Sequence, residues 1–153
     1  MTELDIKKAI TEGLIEVFGN RFAIRDYPLD VSTYKPIHAQ GELLIKSLGF
    51  RPIQYINPDG ETSIFTISNF VVNQHQFVVT LLVRESWIRL QDTILELSEE
   101  IIETMLGLYL EPDDISEARG FLLTDANEPD YDAEIKCHVR ILTFSLPVFK
   151  RME

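Results

Sequence analysis

The sequence predicts an α+β fold: a mostly antiparallel sheet with an N-terminal helix and a long central helix packed on one face. Three observations carry this. Two segments, one at the start and one past the middle, place apolar residues at helical spacing. Between and after them lie apolar or alternating runs of strand length. Turn signals such as Asn57-Pro58-Asp59-Gly60 join those runs and suit hairpins, hence antiparallel pairing. The order is helix, several strands, long helix, two strands, in 153 residues that fit one domain, 1–153.

The first helix is expected over residues 2–18. Ile6, Ala9, Ile10, Leu14, Val17 and Phe18 form one stripe, with Gly13 on it. Thr2 suits the N-cap, Glu3 and Asp5 suit the first turn, and Gly19-Asn20 is a stop. A short strand follows over 21–26, then a loop over 27–37 with two prolines. Residues 39–49 read as a second strand, with Gly41 at a bulge or edge.

Ile53–Ile56 and Ser63–Ile67 flank the Asn57–Gly60 turn and predict a hairpin. The longest strand is expected over 69–84. Phe77, Val79, Leu81 and Val83 share one face, and Val78 and Leu82 share the other, so both faces need cover. Ser86 is placed as the cap of a second helix, 87–109, with an acidic face of Glu96, Glu99, Glu100 and Glu103 and an end before Pro112. Two strands close the chain, 115–124 and 133–149, around a polar loop at 125–132. The second of these turns apolar on the opposite face over 142–146.

Acids outnumber bases 25 to 14, a net charge of −11. That balance argues against binding nucleic acid through its phosphates and against docking on anionic lipid. It suits solubility or a basic partner. One cysteine, Cys137, excludes an intrachain disulfide. The N-terminal residues lack a secretory pattern, and no apolar run is long enough to span a bilayer, so a reducing cytoplasm is expected.

No assembled chemistry is visible. His38, His75 and His138 lack a second ligand at metal spacing. Cys137 and His138 are adjacent, so on a strand they point to opposite faces, and Cys137 reads as a small buried hydrophobe. No glycine pattern forms a phosphate cradle. Asp125, Asn127, Glu128, Asp130 and Asp132 resemble a cation loop but lack the glycine and terminal glutamate of an EF-hand. The expectation is a non-enzyme with no cofactor and no metal.

Phe18-Gly19 ends an amphipathic helix; Phe77-Val-Val-Thr-Leu-Leu-Val-Arg84 runs into the helix at 87–109; Gly120-Phe-Leu-Leu-Thr124 and residues 135–149 finish the chain. This layout resembles the tail terminator and related minor tail proteins of tailed phages, in particular the Mu-like family of contractile tails and prophages. The resemblance covers nearly the whole chain and rests on element order, length and strand character. It implies a sheet with helices on one face, and a homo-oligomeric ring, a hexamer, that caps the tail tube. It also implies contacts with tube, sheath or head-completion proteins, and no catalytic residues. The implied location is the host cytoplasm during assembly and then the virion tail.

The second face of the sheet is expected to be covered by another subunit or by the hairpin at 53–67. Long polar loops tend to carry binding. The candidate interface is therefore Tyr27, Asp30, Tyr34, Asn57, Asp59, Asp125, Asn127, Asp130 and Tyr131. The competing expectations are a monomeric acidic binding module, acting through Glu96–Glu103 as an adaptor or an inhibitor of a basic partner, and a small enzyme with a dispersed carboxylate site.

Overall fold

A computed structural model describes residues 1–28, 34–36, 40–86 and 91–152. The first helix, α1, spans Glu3–Phe18. Thr2 caps it in a capping box: its hydroxyl accepts from the Asp5 amide, and the Asp5 carboxylate accepts from the Thr2 amide. Ile6, Ile10, Leu14 and Phe18 are the buried stripe. The helix stops where the sequence indicates, but Gly19 keeps a right-handed conformation (φ −60°).

The expectation of a mostly antiparallel sheet is corrected: the large sheet is mixed. Its strands are β1 (Ala23–Asp26), β2 (Gly41–Pro52), β5 (Thr66–Ile67), β6 (Phe70–Arg84), β7 (Ser116–Ala118), β8 (Leu122–Ala126), β9 (Asp130–Asp132) and β10 (Cys137–Arg151). β1 lies parallel to β2, with Ala23 opposite Glu42. β2–β6, β6–β10 and the pairings of β10 with β7, β8 and β9 are antiparallel. A parallel pair needs a connection that carries the chain back along the strand, and residues 27–40 provide it.

The 53–67 hairpin forms as a separate two-stranded sheet, β3 (Gln54–Ile56) with β4 (Thr62–Ile64). Its turn closes through the Gly60 amide on Asn57 O and the Asn57 amide on Glu61 O, with Gly60 at φ 89°. The run expected as one strand over 63–67 divides at Phe65, whose amide turns back to Ile53 O. A second tight turn, unforeseen in the sequence, follows at Ser68 and Asn69, both at positive φ, and pairs β5 with the start of β6.

β2 outruns its expected end, reaching Pro52. Its bulge lies between Ser47 and Gly49, not at Gly41. Gly41 opens β2 in close contact with β6: a Cβ there would overlap the carbonyl oxygen of Leu82.

The helix α2 spans Gln91–Leu106. Residues 87–90, where the sequence sets its start, lie outside the described residues. It ends before the expected Tyr109, because Gly107 weakens the turn, Leu108 packs on α1 beside Gly13 and Leu110 is buried. Both helices cover one face of the sheet. Their buried residues join Leu43, Ile45, Phe77, Val79, Leu81, Val83, Leu142, Phe144, Leu146 and Val148 in one core. Each such side chain contributes about 1.5–3 kcal/mol on burial.

The last third differs from expectation in a regular way. The strand expected over 115–124 breaks into β7 and β8 around Phe121, which turns into the core. The polar loop expected over 125–132 is partly strand, with Asp125 in β8 and Asp130–Asp132 forming β9. All three segments run along one side of β10, whose 15 residues offer more backbone than one short strand can pair. Residues 133–136 turn the chain into β10, which begins at Cys137, not at Ala133.

Candidate interaction surfaces

The second face of the sheet is largely covered by this chain itself. Leu44, Leu82 and Cys137 form a small core there, sealed by Tyr27, Tyr34, Ile135 and Val139. Tyr27 and Tyr34 come from the β1–β2 connection and Ile135 from the turn before β10. The connection is pinned by the Tyr27 amide on Ile45 O and by the Arg84 guanidinium donating to Pro36 O. The hairpin expected to cover this face does not do so: Gln54, Tyr55 and Ile56 are all exposed.

Among the described residues a cleft of about 310 Å³ lies on that face. Leu44, Thr80, Leu82, Val139 and Ile141 form its floor; Tyr27, Tyr34 and Lys35 stand on one wall and Asp132, Glu134 and Ile135 on the other. The Tyr34 hydroxyl is shielded from solvent and has no hydrogen-bond partner among the described residues. The Lys46 ammonium sits 5.0 Å from the Tyr27 ring centre.

The structure divides eight of the nine sequence-predicted residues among three places. Tyr27 and Tyr34 meet at the cleft; Asp30 lies outside the described residues. Asn57 and Asp59 sit in the hairpin turn with local duties: Asn57 Nδ2 donates to the Ser63 hydroxyl at 2.7 Å, and Asp59 Oδ1 accepts from the Glu61 amide at 3.0 Å. Asp125, Asn127, Asp130 and Tyr131 line the outer edge beside β10. There Asn127 repairs a gap in the ladder. Its amide donates to Ile141 O, and its Oδ1 accepts from the Ile141 amide at 2.7 Å. The Tyr131 hydroxyl donates to Glu85, and that bond raises the phenol above its ordinary pKa.

Exposed apolar residues that the candidate interface did not include cluster in sequence over 55–67. Tyr55, Ile56 and Ile64 are exposed on the hairpin, Ile56 at 77% exposure, and Phe65 and Ile67 are exposed just after it. Their signal was present: two runs rich in branched and aromatic residues, too short to bury both faces. The polar turn between them drew the assignment instead.

His75 is 3% exposed and stacks on Phe50 with ring centres 4.6 Å apart; burial lowers its pKa. Cys137 is buried, and burial raises its thiol pKa. Glu42 is also buried, and its Oε1 meets Arg25 Nε at 3.1 Å. Among the described residues no three His, Cys, Asp or Glu side chains converge as metal ligands. No helix among them is long and apolar enough to cross a membrane.

No protein-family model matches the chain, and no curated protein matches it.

Proposed function

We propose that this chain is a non-catalytic assembly protein of a phage or phage-like tail. It caps the tail tube as a homo-oligomeric ring and offers the surface that the head joins. The observation that carries this reading is the exposed apolar surface of this region: Tyr55, Ile56 and Ile64 on the two-stranded sheet, with Phe65 and Ile67 just after it. Five large apolar side chains in water within thirteen residues of chain suit a protein contact. The element order, which resembles tail terminators, supplies the kind of contact: the end of a tube.

The test is tube length. Tube protein of a contractile phage tail is polymerised with and without this chain, alongside the Ile56→Asp/Phe65→Asp variant. Both positions are exposed, so the variant should keep its fold to within about 0.5 kcal/mol. The wild type should stop growth and the variant should not. Unchanged tube length with the wild type, together with no co-migration with tube protein in size-exclusion chromatography, overturns the reading.

A second reading has its own observation. Glu96, Glu99 and Glu103 are exposed along α2, an acidic stripe that suits a basic partner. If the chain is a monomeric binding module, charge reversal at these residues abolishes binding. If it is a ring protein, the same change leaves assembly intact.

A further inference from the structure

We infer that the two open edges of the large sheet dock on each other between copies, the β1–β2 edge of one chain against the β8–β9 edge of the next. This rests on the assembly reading and names the surfaces by which copies meet.

The strand order places β1 at one end of the sheet and β7, β8 and β9 at the other, outside β10. Among the described residues no strand pairs outward from either end. β1 covers β2 over Glu42–Ile45, so from Lys46 onward β2 is itself an edge. Exposed edges invite pairing with another chain unless charge or cover prevents it.

The charges at the two edges are opposite. Lys7, Lys8, Arg25, Lys46 and Arg51 lie along the first, against Glu3, which accepts from the Ser47 hydroxyl, Glu12, Asp26 and the buried Glu42. Bases thus outnumber acids on this edge, in a chain whose net charge is −11. Along the second edge stand Asp125, Glu128, Asp130, Asp132 and Glu134, all exposed, with Lys136 and Arg140 as nearby bases. An edge of either kind repels its own copy and attracts the other.

Each edge also carries apolar side chains that stay in water. Leu4, Leu48 and Phe50 flank the first; Leu122, Leu123, Tyr131 and Ile141 flank the second. Apolar burial would supply affinity and the charges would set orientation and partner. Because the two surfaces differ, the contact is head-to-tail, and repeating it closes a ring or grows a filament.

The experiment uses the full chain and light scattering. One variant reverses the basic edge (Lys8→Glu, Lys46→Glu, Arg51→Glu). A second reverses the acidic edge (Asp125→Lys, Glu128→Lys, Glu134→Lys), sparing Asp130 and Asp132, whose side chains bond neighbouring amides. A third carries all six changes. Each triple variant alone should associate at least about tenfold more weakly than the wild type. The six-fold variant, and an equimolar mixture of the two triples, should recover the wild-type mass. Thermal melting of each variant reports folding, and dissociation of the wild type on raising salt gives a readout free of mutation. A wild-type oligomer insensitive to salt and to both reversals overturns the edge contact and leaves the assembly reading standing. A wild type that stays monomeric at its highest soluble concentration also overturns the edge contact, and tube-length control then decides the assembly reading separately.

Discussion

Three glycines test the placement of β2 against β6 and of α1 against the α2 exit. At Gly41 the backbone holds φ 155°, and a Cβ would overlap Leu82 O while lying 3.1 Å from the Leu82 carbonyl carbon and from Val83 Cα. All three atoms are backbone of β6, a strand flanked on both sides by partners. No side chain can rotate to make room, so β2 must pull away and strain the Gly41–Val83 and Glu42–Leu82 pairs. Overpacking costs about 1–3 kcal/mol, and an unfavourable backbone conformation costs about 1–3 kcal/mol more. Gly41→Ala should therefore lose roughly 4 kcal/mol. For a chain of this size that lowers Tm by roughly 8–16 °C.

Gly60→Ala is the control for backbone strain alone. It has φ 89° but open space around its Cβ, so about 1–2 kcal/mol is expected. Gly13→Ala is the control for overlap alone. Its Cβ meets Leu108 Cδ2, the end of a flexible side chain, and the better helix propensity of alanine, about 1 kcal/mol, offsets the adjustment. Urea and thermal denaturation should rank the losses Gly41, Gly60, Gly13. Equal losses for Gly41→Ala and Gly60→Ala would refute the close approach of β2 to β6.

Three more outcomes follow from single side chains. His75 is held neutral by burial, so its folded pKa lies below 6.5 and the unfolded chain binds more protons just below that pH. Its share of stability is full above pH 6.5 and falls as pH drops through the folded value; His75→Phe should flatten that part of the stability–pH curve, and an unchanged curve would place the titrating group elsewhere. Asn127→Ala removes the bond to the Ile141 amide and should cost about 1 kcal/mol, with faster hydrogen exchange at that amide, whereas Asn127→Asp retains an acceptor and should keep protection. Cys137, buried with a raised thiol pKa, should react with a thiol reagent no faster than the protein unfolds; rapid labelling under native conditions would show that Tyr27, Tyr34 and Ile135 do not seal it.

The helical stripe of α1, its capping box and the Asn57–Gly60 turn were legible because each is set by residues within one or two turns of chain. The central strand was legible too, since Phe77–Val83 is apolar at every position but Thr80. The parallel β1–β2 pair was not legible. Its direction depends on the path of residues 27–40, and composition marks that segment as a loop without giving its course. The broken edge β7–β8–β9 was hidden for a related reason. Asp125, Asp130 and Asp132 look like loop residues, yet their backbones pair with β10, because an exposed edge strand tolerates acidic side chains. Of the candidate interface, Asn57, Asp59 and Asn127 hold turns and ladders, roles that depend on which backbone groups the fold brings beside them and that composition does not give.

The apolar second face of β6 raised the expectation that another subunit covers it. Much of that cover is internal. Tyr27, Tyr34 and Ile135 close over Leu44, Leu82 and Cys137, and Arg84 ties the connection down at Pro36. The case for assembly therefore moves from the face of the sheet to its margins. The base of the hairpin is tied to β6 by the Ile53 amide on Val72 O and closed on itself by the Phe65 amide on Ile53 O. Its aliphatic and aromatic groups stay in water in a lone chain. A replacement of Ile56 and Phe65 by aspartate should then leave monomer stability nearly constant while lowering adhesion to whatever the hairpin meets. A variant that instead melted well below the wild type would show that these side chains already pack within the chain, and the argument from exposed apolar surface would fail at its strongest point.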